Sequence, residues 1–205
     1  MSDPLDASHV IDEDRLRADL YSFLATLLTR PPNDALLKRC RALEGDDTPL
    51  GQAIGTLSVV ARAHNAVGVE REFNRLFIGI GRGEILPFAS VYMTGFLNEK
   101  PLAALRNDMM RLGVERQPDV FEPEDNIGSL CEMMAGLITG RFGPPASLPA
   151  QFDFFSKHIG PWAEHFFSDL EAASSSVFFA PVGAIGRMFM EIEKDAFRLA
   201  GESAA

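Results

Sequence analysis

The chain has little of what catalytic and nucleic-acid-binding proteins are built from. It holds two cysteines, four histidines and one tryptophan in 205 residues. Cys40 and Cys131 stand far apart with no C-x-x-C spacing, which excludes a disulfide framework and a zinc ribbon and leaves two reduced thiols. Among His9, His64, His158 and His165 only the last two are near each other, and Gly160-Pro161 interrupts the helix that would align them. With no H-E-x-x-H and no third ligand in register, a metal centre is not expected. Ser90 lacks a G-x-S-x-G setting, and Cys131 falls on a helix-like apolar face where a thiol is inert. No catalytic set and no cofactor site follow from these residues.

Positive charge is also short. Nineteen Lys and Arg against 29 Asp and Glu give a formal charge of −10. That excludes a phosphate-reading face and favours basic partner segments. Long apolar runs are missing: the longest, Val177 to Gly186, contains Pro181 and two glycines and is too short to span a bilayer. Met1 to Asp6 has neither the basic nor the apolar region of an export signal, so a cytoplasmic location is expected.

What the chain does have is helical periodicity. Hydrophobic residues make up 46% of it, enough for a real core. Leu16, Leu20, Phe23, Leu24, Leu27 and Leu28 recur at intervals of three and four from Ile11 until Pro31-Pro32. Further helices are expected over Asp34–Leu43, Leu50–Asn65, Val69–Ile78, Ser90–Asn98 and Glu99–Leu112, the last capped by Gly113. An acidic box with Pro123 in its first turn opens the next, whose face is Ile127, Leu130, Met134, Leu137 and Ile138. Past a proline-rich connection at 143–149 come Phe152–Ile159, Pro161–Ala173 and Val182–Leu199, the last burying Val182, Ile185, Phe189, Ile192, Ala196 and Leu199. No alternating run predicts a strand. The expectation is an all-α fold: a flexible stretch over 1–10 and a single compact multi-helix domain over 11–205.

Two runs put aromatics beside carboxylates. The first is Glu72-Phe73-Asn74-Arg75-Leu76-Phe77-Ile78-Gly79, followed by Leu86-Pro87-Phe88-Ala89-Ser90-Val91-Tyr92; the second is Glu122-Pro123-Glu124-Asp125-Asn126-Ile127. On spacing alone, carboxylates in a first helical turn are commonplace stabilisers and aromatics are commonly core. The glycines of Gly79-Ile80-Gly81-Arg82-Gly83 invite a phosphate-loop reading, but no strand precedes them and no Lys-Ser/Thr follows. A flexible connection, useful as the lip of a groove, is the reading they support.

The order E-F-x-x-L-F-x-G, P-F-A-S-V-Y and E-P-E-D, with Phe152, His158, Trp162, Phe166 and Phe179 downstream, resembles the TorD/DmsD/NarJ family of cytoplasmic molybdoenzyme chaperones over about Leu16 to Phe197. Asn126 stands where that family usually has His, so a role for an imidazole there is not carried over. Gly81-Arg82-Gly83-Glu84 and Gly95 to Leu102 look closest to members associated with formate dehydrogenases. The resemblance implies a TorD-like fold, no enzyme activity, and a chaperone, monomeric or a helix-exchanged homodimer. It would bind the apo form of a molybdoenzyme catalytic subunit, its twin-arginine signal peptide, or both, until molybdopterin cofactor insertion. Molybdopterin cofactor biosynthesis proteins would be further partners; nucleic acid and membrane would not. The resemblance assigns peptide binding to Leu76, Phe77, Phe88, Tyr92, Asp125 and Asn126, with Phe73, Glu122 and Glu124 beside them and Tyr21 on the first helix. An alternative inside the class binds the client's body, and one outside it binds guanine nucleotides through the Gly79–Gly83 loop.

Overall fold

A computed structural model describes residues 4–116 and 122–203 of the chain, and side chains between 12 and 202 of these. Among them every regular element is helical: α1 (Pro4–Leu28), α2 (Asp34–Arg41), α3 (Pro49–Ala63), α4 (Ala66–Phe73), α5 (Ala89–Thr94), α6 (Lys100–Leu112), α7 (Ile127–Thr139), α8 (Leu148–Phe154), α9 (Ala163–Ala172) and α10 (Phe179–Ser203). Single π-helical turns, Asn74–Ile78 and Phe155–Ile159, prolong α4 and α8. The all-α expectation holds, and α1 is helical from Pro4, ahead of Ile11. The loop expected to run through Phe121 into the acidic box lies outside the described residues.

Local chemistry sets the boundaries. Asn33, Thr48 and Asn65 start α2, α3 and α4 by accepting from the backbone N–H of Leu36, Gly51 and Gly68. Gly113 and Gly140 stop α6 and α7 in the left-handed conformation, at φ 68° and 75°. The proline-rich stretch is a packed turn rather than a loose linker: the Ala146 N–H bonds the Leu137 carbonyl at 2.8 Å, and Pro149 sits in the first turn of α8.

Helix α1 packs on α7, and α10 packs on α9 and α3. The α9–α10 crossing is close enough that a Cβ on Gly183 would stand 2.5 Å from the Glu171 nitrogen. Between the helices lies one continuous core containing Trp162, Phe166, Phe167, Phe178 and Phe179. Glu72 reaches from α4 to the start of α10, accepting from the Val177 and Phe179 N–H groups at 2.7 and 3.0 Å. It satisfies two backbone donors that a helix start leaves open.

The phase of two helices departs from the sequence pattern. Leu16 is 69% exposed and Ile192 49%, with Ala196 and Leu199 also outward, while Arg17, Tyr21, Glu193 and Phe197 face the interior. The reason is an ion pair between helices 176 residues apart: Arg17 Nε and Nη2 donate to both oxygens of Glu193 at 2.6 and 2.9 Å. Tyr21 Oη adds a third donor at 3.0 Å, and Arg17 Nη1 is taken up by Gln151 and Asp14. A charge fully met in this way enters a core where an isolated one would not.

Candidate functional site

The two runs singled out in the sequence are one structural unit. Phe88 and Asn126 form an isolated antiparallel bridge, and the Ile127 N–H bonds the Pro87 carbonyl at 2.9 Å. Asp125 then caps α5 from outside: its Oδ2 accepts from the Ser90 N–H at 2.8 Å and its carbonyl from the Ala89 N–H at 3.0 Å. Asn126 caps α7, its side-chain oxygen accepting from the Gly128 N–H at 2.8 Å. Amide oxygen suits that place, so Asn in this position starts a helix without any need for an imidazole. Helix α7 begins at Ile127, and the acidic box with Pro123 is therefore a turn ahead of the helix rather than its first turn.

Glu124 is held from α6. Arg106 directs Nε and Nη2 onto a single oxygen, Oε2, at 3.0 and 2.8 Å, and Arg116 stands 3.6 Å from Oε1. Burial would raise the Glu124 carboxyl, but the Arg106 hydrogen bonds and the two guanidinium charges outweigh it and hold it below the usual range. Glu122 is exposed at the surface, and desolvation against the turn raises its carboxyl.

These two glutamates line a cleft of about 360 Å³. Its apolar lining is Met109 and Val114 at the end of α6, Met133 on α7 and Phe142; Arg30, Glu115, Arg116, Glu132 and Arg141 add charges of both signs to the rim. Met109, Val114 and Met133 are themselves 5%, 8% and 7% exposed, so only their edges reach the cleft, and methionine's flexible side chain suits a floor that must yield to what enters. The sequence did not bring these four residues forward. Met109 was legible as a helix-face apolar position, whereas Met133 lies outside the apolar face read for the helix that holds it, and nothing local says that the two side chains share a cleft.

The predicted aromatics lie elsewhere. Phe73 and Phe77 stack edge-on at 4.8 Å and both meet Phe179, and Leu76 is sealed beside them. Tyr21 is buried against Phe189, and burial pushes its phenol pKa well up. In this conformation Leu76 and Tyr21 offer a partner no surface, Phe73 and Phe77 offer as little as the methionine floor does, and Asp125 is sealed. Phe88 and Tyr92 are half-buried. Tyr92 leans on Trp162 and Phe166, gives its hydroxyl to Asp169 at 2.8 Å, and lines a shallow open groove with Arg82, Glu84, Leu86 and Val91. Of Leu76, Phe77, Phe88 and Tyr92, expected together to cover an apolar segment, Leu76 is sealed and Phe77 is packed against Phe179 of α10 in this conformation, while Phe88 and Tyr92 reach the surface.

The glycine loop is a tight turn beside that groove. Gly79 has φ 63°, and a Cβ on Gly83 would meet the Phe77 backbone at 2.5 Å. The N–H groups of Gly79, Glu84 and Ile85 are spent on the carbonyls of Asn74, Arg75 and Leu76, so they cannot cradle a phosphate. Glu84 fastens the loop to the Ser174 and Ser175 N–H groups. Both cysteines are buried, and desolvation pushes Cys40 up to about 11 and Cys131 upward as well. Among the described residues no group of His, Cys, Asp and Glu could hold a metal ion, and no helix is long and apolar enough to cross a membrane.

The profile of the nitrate reductase delta subunit family matches residues 43–168. The chaperone protein TorD of Vibrio cholerae is 28% identical over 170 residues, covering 73% of this chain and 77% of that one. TorD of Aliivibrio fischeri is 23% identical over 207 residues, covering 91% and 95%. The Tat proofreading chaperone DmsD of Salmonella paratyphi A is 26% identical over 140 residues, covering 67% and 66%. In three dimensions the chain matches a crystal structure described as a redox enzyme maturation protein from Archaeoglobus fulgidus, with TM-score 0.58 and 18% identity over 85% of this chain and 93% of that one.

Proposed function

The chain belongs to the nitrate reductase delta subunit family, to which the TorD, DmsD and NarJ chaperones belong, and from that membership we propose that its cleft receives part of an unfinished molybdoenzyme. The protein is a chaperone of redox-enzyme maturation, not an enzyme. Its client is the apo form of a molybdoenzyme catalytic subunit, held in the cytoplasm until molybdopterin insertion and before export. Formate dehydrogenase is the first client to try, on the loop resemblance noted above. The segment taken is the twin-arginine signal peptide, which is basic at its front and apolar behind.

The observation that carries this reading is the coincidence of Met109 and Met133 with Glu122 and Glu124 around one cleft. An apolar stretch gains from the floor while arginines gain from the rim. A cleft of about 360 Å³ admits one or two side chains, so affinity is expected to be about micromolar after the ordering cost. Such binding releases readily, as a chaperone requires.

Fluorescence anisotropy with a labelled twin-arginine peptide tests it. Met133→Glu and Glu122→Lys should each weaken binding about tenfold, and raising salt from about 50 to 500 mM should weaken it further. Unchanged affinity in both variants would remove the cleft from the account. Equal capture of an apo-subunit lacking its signal would assign the cleft to the client's body.

A further inference from the structure

We propose that Arg106 occupies on Glu124 the place a client arginine takes, so that an internal guanidinium sets the affinity of the cleft and its preference for arginine over lysine. The inference rests on the proposed function and adds a regulation to it. Three observations carry it.

The Glu124 carboxylate already carries the kind of ligand assigned to it. Arg106 meets it side-on through two N–H groups, an arrangement a guanidinium can make and an ammonium cannot. The holder is loosely seated: the Arg106 side chain is 49% exposed and that of Glu124 9%. The carboxylate is therefore fixed while its cation can swing out. The pairing is also one-sided, since both Arg106 donors fall on Oε2, while among the described residues Oε1 has only Arg116, which lines the cleft, at 3.6 Å. An incoming arginine replaces an equivalent fork on Glu124, and the displaced Arg106 returns to water. The exchange involves little net change in charge pairing, which makes binding selective without making it tight.

Two peptides of equal length, each with an apolar segment behind either Arg-Arg or Lys-Lys, are titrated into wild type, Arg106→Gln, Arg106→Lys and Glu124→Gln. Removing the competitor should tighten the Arg-Arg peptide about three- to tenfold in Arg106→Gln, with Arg106→Lys between it and wild type. The Lys-Lys peptide should gain less. Glu124→Gln should bind the two peptides alike. Melting curves establish that each variant is folded. If folded Arg106→Gln binds the Arg-Arg peptide no more tightly than wild type does, Arg106 is a strut and the inference is wrong while the cleft reading stands. If wild type binds neither peptide, both are wrong.

Discussion

Two arginine–glutamate pairs in this molecule use the same chemistry to opposite ends. Arg17 and Glu193 join the first and last helices with both carboxylate oxygens engaged, and their side chains are 16% and 0% exposed. Arg106 meets Glu124 from beside the cleft that Glu124 lines, with one oxygen doubly used and the arginine half in water. The first pair is shut in by helices and by Tyr21, and neither member can leave without stranding the other. The second can part and re-form. Desolvation, more than distance, decides which of two similar contacts is architecture and which is available for exchange.

The sharpest way to break this contrast is Glu193→Ala, which leaves Arg17 Nε and Nη2 and the Tyr21 hydroxyl without their acceptor and only Arg17 Nη1 still met, by Asp14 and Gln151. A loss of about 3–5 kcal/mol in urea unfolding is expected. The double change Arg17→Met with Glu193→Leu should recover most of it, because apolar groups of similar size need no counter-charge. If Glu193→Ala melts like wild type, the sealed pair is decorative and the contrast collapses.

A second sealed contact extends the comparison to pH. His158 lies 2.7 Å from Asp108 in the interior, and burial lowers its pKa from 6.5 to about 4. Its folded form is neutral, so the unfolded chain takes up the proton first as pH falls. The stability contributed by neutral His158 is whole above pH 6.5 and lost as the pH falls towards 4. About 2 kcal/mol should disappear over that interval, and His158→Gln should flatten the profile. An unchanged slope in that variant would place the titrating group elsewhere.

Asp125→Ala removes the cap on α5 and should cost about 1–2 kcal/mol. Because Asp125 is buried, the damage should register in the melting temperature before it registers in peptide affinity. Weakened binding at an unchanged melting temperature would return Asp125 to direct recognition. The smallest effect is Arg106→Gln, under about 1 kcal/mol in stability, since Arg116 remains near Glu124. A loss as large as that of Glu193→Ala would erase the distinction between the two pairs.

The sequence shows the helices well because caps and breakers are local: Pro31, Pro32 and Gly113 each act within a turn of where they stand. It misplaces Leu16 and Ile192 because the partners that turn α1 and α10 lie 176 residues apart. Runs of aromatics and carboxylates were visible, and Glu122 and Glu124 do rim the cleft. The roles of Glu72 and Asp125 were not visible, since each caps a helix other than the one that its own neighbours in the chain form. The methionine floor escaped notice because Met109 reads as an ordinary core position and Met133 falls outside the expected apolar face, and only the folded chain brings them to one cleft.

Arg17 waits on a carboxylate near the far end of the chain, and Glu72 waits on amides that come more than a hundred residues after it. Neither can be satisfied on the ribosome until the residues leading into α10, and for Arg17 α10 itself, have emerged. Assembly of this fold should therefore be late and sudden rather than stepwise. A premature stop before α10 would unsettle the opening helices as surely as the closing one.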